Sequence, residues 1–128
     1  MPIFRKRLRV YNAAASRSEE VDAVVDSGSI FCQVPQDMAD RLELAPFATR
    51  RLRMADGRVV ELGLANAMVE LPEQGEVAAT TMVIAQVGAA AILGTMALDS
   101  FGLGVDTAEQ RLIPKVLELL TQTNWPTI

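Results

Sequence analysis

The residues with the clearest chemical potential are Asp26, Ser27, Gly28 and Ser29, which follow the apolar pair Val24-Val25. Two β-branched residues before Asp-Ser-Gly predict a buried strand that ends in a tight turn, with Gly28 supplying conformational freedom. This pattern puts the Asp26 carboxylate at the end of a strand. An ordinary surface turn is the alternative interpretation of the same residues, because Asp, Ser and Gly are common in such turns.

The chain contains no histidine, and Cys32 is its one cysteine. Ser-His-Asp and Cys-His nucleophile systems are therefore excluded, together with the commonest zinc ligand. A lone cysteine cannot form an internal disulfide, so we expect Cys32 to be a small buried side chain. Asp37 and Asp40 have no further ligand partners nearby and are expected on the solvated surface. Carboxylates, hydroxyls and arginines remain for chemistry, with no metal or cofactor expected.

The 128 residues predict one domain, residues 1–128, with a single core, because half of them are apolar. A net charge of −4 argues against binding to nucleic acid, although residues 5–9 form a local basic run that fits an exposed strand edge. In an export signal an apolar segment would follow this basic run, but residues 11–20 are mostly small and polar. No segment approaches the roughly 18 apolar residues of a membrane span. We therefore expect a soluble, cytoplasmic protein.

Short strands dominate the elements that must position Asp26. Two hairpins are predicted, one around Asp56-Gly57, which is a strong signal for a two-residue turn, and one around the Pro72–Gly75 segment. The predicted strands cover residues 3–11, 21–26, 30–34, 49–54, 58–64, 67–71, 77–84, 103–107 and 111–114, with a short apolar run at 90–94. This pattern predicts an all-β domain, closed or barrel-like, with two short helices.

The first predicted helix covers residues 36–44, with Pro35 at its start and Pro46 after its end. Val34, Met38, Leu42 and Ala45 form its apolar face, and Asp37 and Arg41 are spaced as a stabilising pair. The second helix covers residues 95–101, with Thr95 as its cap and Gly102 as its stop. Residues 115–122 form either an amphipathic helix or a strand that pairs with a partner. Val105-Asp106-Thr107 repeats the earlier motif, but Ala108 replaces the glycine, which predicts a surface turn.

The order of these features resembles the retropepsin-like aspartic proteases of clan AA, in particular their small bacterial single-domain members. The resemblance lies in Val25-Asp26-Ser27-Gly28-Ser29, the Asp56-Gly57 hairpin, Ile92-Leu93-Gly94 and the closing segment 102–114, and it covers roughly residues 20–114. It implies a closed acid-protease β-barrel with one lobe per chain. In such enzymes two carboxylates share one proton and activate a water. Because this chain has one Asp-Ser-Gly, the second Asp26 would come from another copy in a homodimer.

The resemblance also assigns roles to individual residues. Asp26 would be catalytic, Ser27 would hydrogen-bond across the dimer, and Gly28 and Ser29 would complete the active-site loop. The flap that closes over a peptide would be Met54, Ala55, Asp56, Gly57 and Arg58. Ile92, Leu93 and Gly94 would support the catalytic loop from beneath. The implied partners are a second copy of the chain and a peptide or protein substrate, with no nucleic acid and no membrane.

Two features depart from the family pattern. Retroviral members carry an acid shortly after the catalytic glycine and an arginine after the distal glycine, where this chain has Ile30 and Thr95. The tail, residues 115–128, is then a candidate for dimerisation, with Trp125 as an anchor. The flap tip is charged rather than glycine-rich. An inactive module that binds a peptide or partner is the alternative to an endopeptidase, and a structural β-barrel with a coincidental motif is a third possibility.

Overall fold

The computed structural model describes residues 3–119. Within that range nine strands and two helices follow one another in this order: β1 (Phe4–Asn12), β2 (Ser18–Val25), β3 (Cys32–Pro35), α1 (Gln36–Leu42), β4 (Pro46–Arg53), β5 (Val59–Leu71), β6 (Glu76–Ala85), β7 (Ile92–Leu93), α2 (Thr95–Ser100), β8 (Leu103–Asp106) and β9 (Arg111–Pro114). The predominance of short strands and the two short helices agree with the predicted fold class.

Six strands form a closed ring, in the order β1, β2, β7, β3, β6 and β5, and β5 pairs back with β1. The ring closes because β5 is long enough to pair with other strands along both of its edges. Its later residues pair with β1, with Val69 opposite Val10, and β6 covers the other edge, with Val69 opposite Ala78. The first part of β5 pairs with β4. This ring confirms the predicted closed β architecture.

One continuous strand, β5, replaces the two strands predicted at 58–64 and 67–71. Asn66 is exposed and pairs with Thr81 of β6, so a polar residue on the outer face leaves the ladder uninterrupted. Leu64, Ala67 and Val69 are buried on either side of it. The strand continues because backbone pairing and burial persist through this segment, whereas the local sequence alone indicated a break.

Helix α1 ends two residues earlier than predicted. Glu43 has a left-handed φ of 58°, and the Leu44 N–H donates to the Ala39 carbonyl, so the chain leaves the helix at this point. Ala45 is consequently exposed instead of lying on the apolar face. The predicted pair of Asp37 and Arg41 is present at 3.4 Å. In α2, Gly94 occupies the cap position without a side-chain hydrogen bond, so the prediction of Thr95 as cap was wrong.

Three of the four basic residues of the run in β1 pair with acids from elsewhere in the chain. Arg7 lies 3.1 Å from Asp22, and Arg9 lies 3.2 Å from Glu20. Both acids belong to β2, which begins at Ser18, earlier than predicted, and pairs along the whole of β1. Lys6 lies 3.3 Å from Glu73. The charges of Lys6, Arg7 and Arg9 are therefore paired within the chain.

The core lies inside the ring, where Leu8, Met82 and Leu93 have almost no exposed surface. Cys32 is fully buried among them, as predicted. The β8–β9 hairpin forms a separate two-stranded sheet next to α2, and Asp106 ends β8 in a turn in which its Oδ1 accepts from the Glu109 N–H. Neither helix described between residues 3 and 119 is long and apolar enough to cross a membrane.

Residues 115–119 of the tail have no regular secondary structure. The Lys115 N–H donates to the Gly102 carbonyl, and the Lys115 ammonium lies 3.0 Å from Asp99. The start of the tail is thus tied to the end of α2. The remainder of the segment predicted as a helix or strand, and Trp125, lie outside the described residues.

Candidate active site

The Asp26 loop is tied at its base to β7. The Val24 N–H donates to the Ala91 carbonyl over 2.9 Å, and the Asp26 N–H donates to the Leu93 carbonyl over 3.1 Å. Val24 and Val25 pair in parallel with Ile92 and Leu93. The end of β2 is therefore fixed by a short strand that lies about 65 residues downstream, and this fixes where the carboxylate of Asp26 emerges.

Two donors from the same loop hold the half-buried Asp26 carboxylate. The Gly28 N–H donates to Oδ1 over 2.9 Å, and the Ser29 hydroxyl donates to Oδ2 over 2.7 Å. Gly28 does not have a left-handed φ, so the conformational freedom expected of it is not used. A Cβ on Gly28 would instead lie 3.3 Å from Oδ1, a tight contact. The loop thus orients the carboxylate, while the Ser27 side chain is exposed.

Gly94 lies directly against the chain that follows the Asp26 loop. A Cβ on Gly94 would collide with the carbonyl group of Phe31 and lie 2.8 Å from the Ser29 oxygen. The Thr95 N–H donates to that Ser29 oxygen over 2.8 Å, and the Met96 N–H donates to the Ile30 carbonyl over 2.9 Å. The first N–H groups of α2, which have no partner within the helix, therefore bind the loop. These contacts require a glycine at position 94.

The β4–β5 hairpin turns through three residues, one more than the Asp56-Gly57 pair predicts. Gly57 has φ of 88°, and the Met54 N–H donates to the Arg58 carbonyl over 2.8 Å. The backbone N–H of Arg58 and its guanidinium both donate to the Asp56 carboxylate. These hydrogen bonds, the backbone one first, hold the pKa of Asp56 below its ordinary value. The tip is therefore ordered by an acid and a base two residues apart.

An open cleft of about 380 Å³ separates this hairpin from the Asp26 loop. On one side it is lined by Asp26, Gly28 and Ser29, and on the other by Leu52–Ala55. Of the predicted flap residues, Met54 and Ala55 line the cleft, whereas Asp56, Gly57 and Arg58 lie beyond it at the exposed tip. The structure thus brings the predicted loop and part of the predicted flap to one site.

Several lining residues were missed by the sequence reasoning. Most are apolar and lie either just after the loop or on strands that approach from elsewhere in the chain. They are Ile30, Phe31, Leu52, Val83 and Ile92, of which Ile92 was predicted only as a support of the loop. Ile30 is 58% exposed at this cleft, which is evident from the structure and not from the sequence. The cleft is therefore a largely apolar surface around one carboxylate.

Two charged side chains line the cleft within the described part of the chain, Asp26 and Arg53. Arg53 was also missed, because it was read as one of the alternating basic residues of a hairpin strand. Residues 3–119 contain no group of three or more His, Cys, Asp or Glu side chains arranged for a metal ion. The arrangement is that of an oriented carboxylate at the edge of an open, largely apolar cleft.

Cys32 lies behind the loop and does not line the cleft. Burial raises the pKa of its thiol, an effect partly opposed by hydrogen bonds from the Gly94 backbone and the Thr80 hydroxyl. The thiol is therefore protonated at neutral pH and packs as an apolar group. It contributes to the support of the loop and has no access to a substrate.

Similar architectures occur in solved structures of other proteins. EIAV protease complexed with the inhibitor HBY-793 superposes with a TM-score of 0.58 at 16% identity, covering 77% of this chain and 88% of that one. The retroviral protease-like domain of Ddi1 from Leishmania major gives a TM-score of 0.56 at 16% identity, covering 91% of both chains. No protein-family model and no curated protein matches the sequence.

Proposed function

Because the chain has a retropepsin-like fold, we propose that it is an aspartic endopeptidase that acts as a homodimer, with one Asp26 from each subunit. The observation that supports this proposal best is the Asp26 carboxylate, held by Gly28 and Ser29 at the edge of a cleft that a β-hairpin faces. The chain contains no histidine, so acid–base chemistry in this cleft depends on carboxylates.

A homodimer follows from the chemistry. Among the described residues that line the cleft, Asp26 is the one acid, whereas the reaction needs a second carboxyl group. A two-fold axis beside the loop would bring the two Asp26 side chains together. Like charges at a separation of about 3 Å cannot both remain ionised, so the pair would hold one proton between them.

In the proposed reaction the ionised Asp26 takes a proton from water as the water oxygen attacks the scissile carbonyl carbon. The protonated Asp26 of the other subunit donates to the carbonyl oxygen, which becomes a hydroxyl of the tetrahedral intermediate. The C–N bond then breaks, one carboxyl group gives its proton to the leaving nitrogen, and the other recovers a proton from the hydroxyl. Met54 and Ala55 on the hairpin would cover the peptide and exclude water.

The decisive test is the variant Asp26→Asn, assayed on a mixed peptide library from pH 4 to pH 7. We expect cleavage by the wild-type dimer, with higher rates toward acidic pH, and none by the variant, whose circular dichroism and urea midpoint stay close to those of the wild type. Asp106→Asn, in the similar but glycine-less Val-Asp-Thr sequence, is the matched control and should retain cleavage.

Two outcomes contradict the proposal. Cleavage by the Asp26→Asn variant would exclude Asp26 as the catalytic acid. Intact peptides after long incubation with a verified wild-type dimer would instead favour the alternative, a module of the same fold that binds a peptide or partner without cleaving it.

A further inference from the structure

Arginines are concentrated in the hairpin that faces Asp26. Residues 46–64 contain four arginines and two acids, although the whole chain has a net charge of −4. Elsewhere in the described part of the chain most basic residues are matched, as in β1, where Arg7 and Arg9 lie within 3.4 Å of Asp22 or Glu20. The hairpin is therefore a cationic element on a protein whose remaining residues carry an excess of acids.

Arg53 is the hairpin arginine that reaches the cleft. No carboxylate among residues 3–119 lies within 4.0 Å of its guanidinium, and its one hydrogen bond is to the Gly57 carbonyl over 3.1 Å. The nearest acid in sequence, Asp56, is occupied by Arg58 at 2.6 Å. The residue opposite Arg53 on β5 is Val59. Most donors of the Arg53 guanidinium are thus available to a bound molecule.

The surroundings favour a carboxylate as that partner. The rest of the cleft wall is largely apolar, with Leu52, Val83 and Ile92 among its residues, and Asp26 is the one other charged side chain among the described residues that line it. A guanidinium binds a carboxylate through two parallel hydrogen bonds, which gives orientation as well as affinity. Neutral side chains would leave these donors unused.

We propose that Arg53 is a specificity-determining residue that selects peptides with a glutamate or aspartate side chain beneath the hairpin. This inference rests on the proposed function, since it assigns the substrate class of the same cleft. Asp26 lies on the opposite side of the cleft from Arg53, so the two charged groups have separate tasks, one in the chemistry and one in the choice of peptide. Arg53 is exposed, and its replacement should leave the fold intact.

Binding is measured in the Asp26→Asn background, where no cleavage is expected, with octapeptides in which glutamate is moved through each position and compared with glutamine and with lysine. At pH 7 and 50 mM salt we expect about tenfold tighter binding of glutamate at one position at least. The preference should fall to twofold or less with Arg53→Gln and should invert toward lysine with Arg53→Glu. It should weaken at 500 mM salt.

Arg50→Gln is the matched control. Arg50 lies on the same strand but does not line the cleft, and its guanidinium donates to the Thr49 carbonyl over 2.8 Å. The control should keep the full glutamate preference. Equal binding of glutamate and glutamine peptides, or a preference that survives Arg53→Gln, overturns the inference.

Cleavage by the wild-type chain separates this inference from the proposed function. If neutral and acidic peptides are cut equally well at pH 6, the inference on Arg53 fails and the peptidase assignment stands. If glutamate peptides bind selectively through Arg53 and none is cut, the peptidase assignment fails and the recognition of acidic peptides stands.

Discussion

Gly94 and Phe31 are in such close backbone contact that only hydrogen fits on the Cα of Gly94 facing the Phe31 carbonyl. This contact holds the start of α2 against the chain that leaves the Asp26 loop. It joins two segments that are more than 60 residues apart and gives the Asp26 carboxylate a fixed base. The geometry of the site therefore depends on a residue with no side chain and no chemistry of its own.

Replacing Gly94 by alanine should destabilise the protein by about 2–3 kcal/mol, because the new methyl group must displace backbone atoms. Urea unfolding followed by circular dichroism measures the loss. Gly104→Ala is the control, since the nearest atom to its Cβ would be the flexible Lys115 side chain at 3.5 Å, and we expect a change below about 0.5 kcal/mol. Equal stability of the two variants would contradict the contact.

Ser29→Ala should lower kcat for peptide cleavage by about five- to tenfold, because the Ser29 hydroxyl no longer holds Oδ2 of Asp26. The urea midpoint should change little, since the hydroxyl lies at the edge of the cleft. Ser100→Ala removes a comparable hydrogen bond, to the Met96 carbonyl, at an exposed residue that does not line the cleft, and serves as control. An unchanged kcat in Ser29→Ala would show that this hydrogen bond does not position the catalytic group.

Mixing wild-type chains with Asp26→Asn chains should suppress cleavage, because mixed dimers contain a single Asp26. With a ninefold excess of the variant and random exchange, about a tenth of the wild-type activity should remain. Asp106→Asn chains in the same excess should not suppress it. If the rate per wild-type chain is unaffected by the Asp26→Asn chains, each chain acts alone and the dimeric mechanism is wrong.

Stability should fall at alkaline pH through Cys32, whose thiol pKa is raised by burial. The folded chain keeps the thiol proton above about pH 8.5, where the unfolded chain releases it. The contribution to stability is therefore complete below that pH and is lost as the pH rises toward the pKa of the folded state. The urea midpoint should drop between pH 7 and pH 10 in the wild type and drop less in Cys32→Ala.

Tyr11 adds a loss of the same sign in both proteins, because its hydrogen bond to Glu70 raises the pKa of its phenol. The difference between the wild type and Cys32→Ala therefore isolates the thiol. Equal drops in the two proteins would mean that Cys32 ionises in the folded state as readily as in the unfolded chain.

Local patterns predicted the elements near Asp26 well. The β-branched pair before Asp26 indicated a buried strand, and Asp56-Gly57 indicated a hairpin. Both signals depend on residues that are neighbours in sequence, and the structure contains both the strand and the hairpin. Three features differ from the prediction: β5 continues through Asn66, α1 ends early, and the hairpin turn has three residues. Pairing with a distant strand decided the first, and residues in left-handed conformations decided the other two.

The sequence by itself determined which groups are available for chemistry: one Asp-Ser-Gly segment, no histidine, one cysteine and a retropepsin-like order of motifs. Only the tertiary structure decided how they meet. Pairing of Val24 with Ile92 put β7 beneath the loop, and the hairpin brought Arg53 to the cleft that holds Asp26. The reason is physical, since side-chain type is encoded residue by residue, whereas contacts between distant segments follow from closing the strand ring around one core.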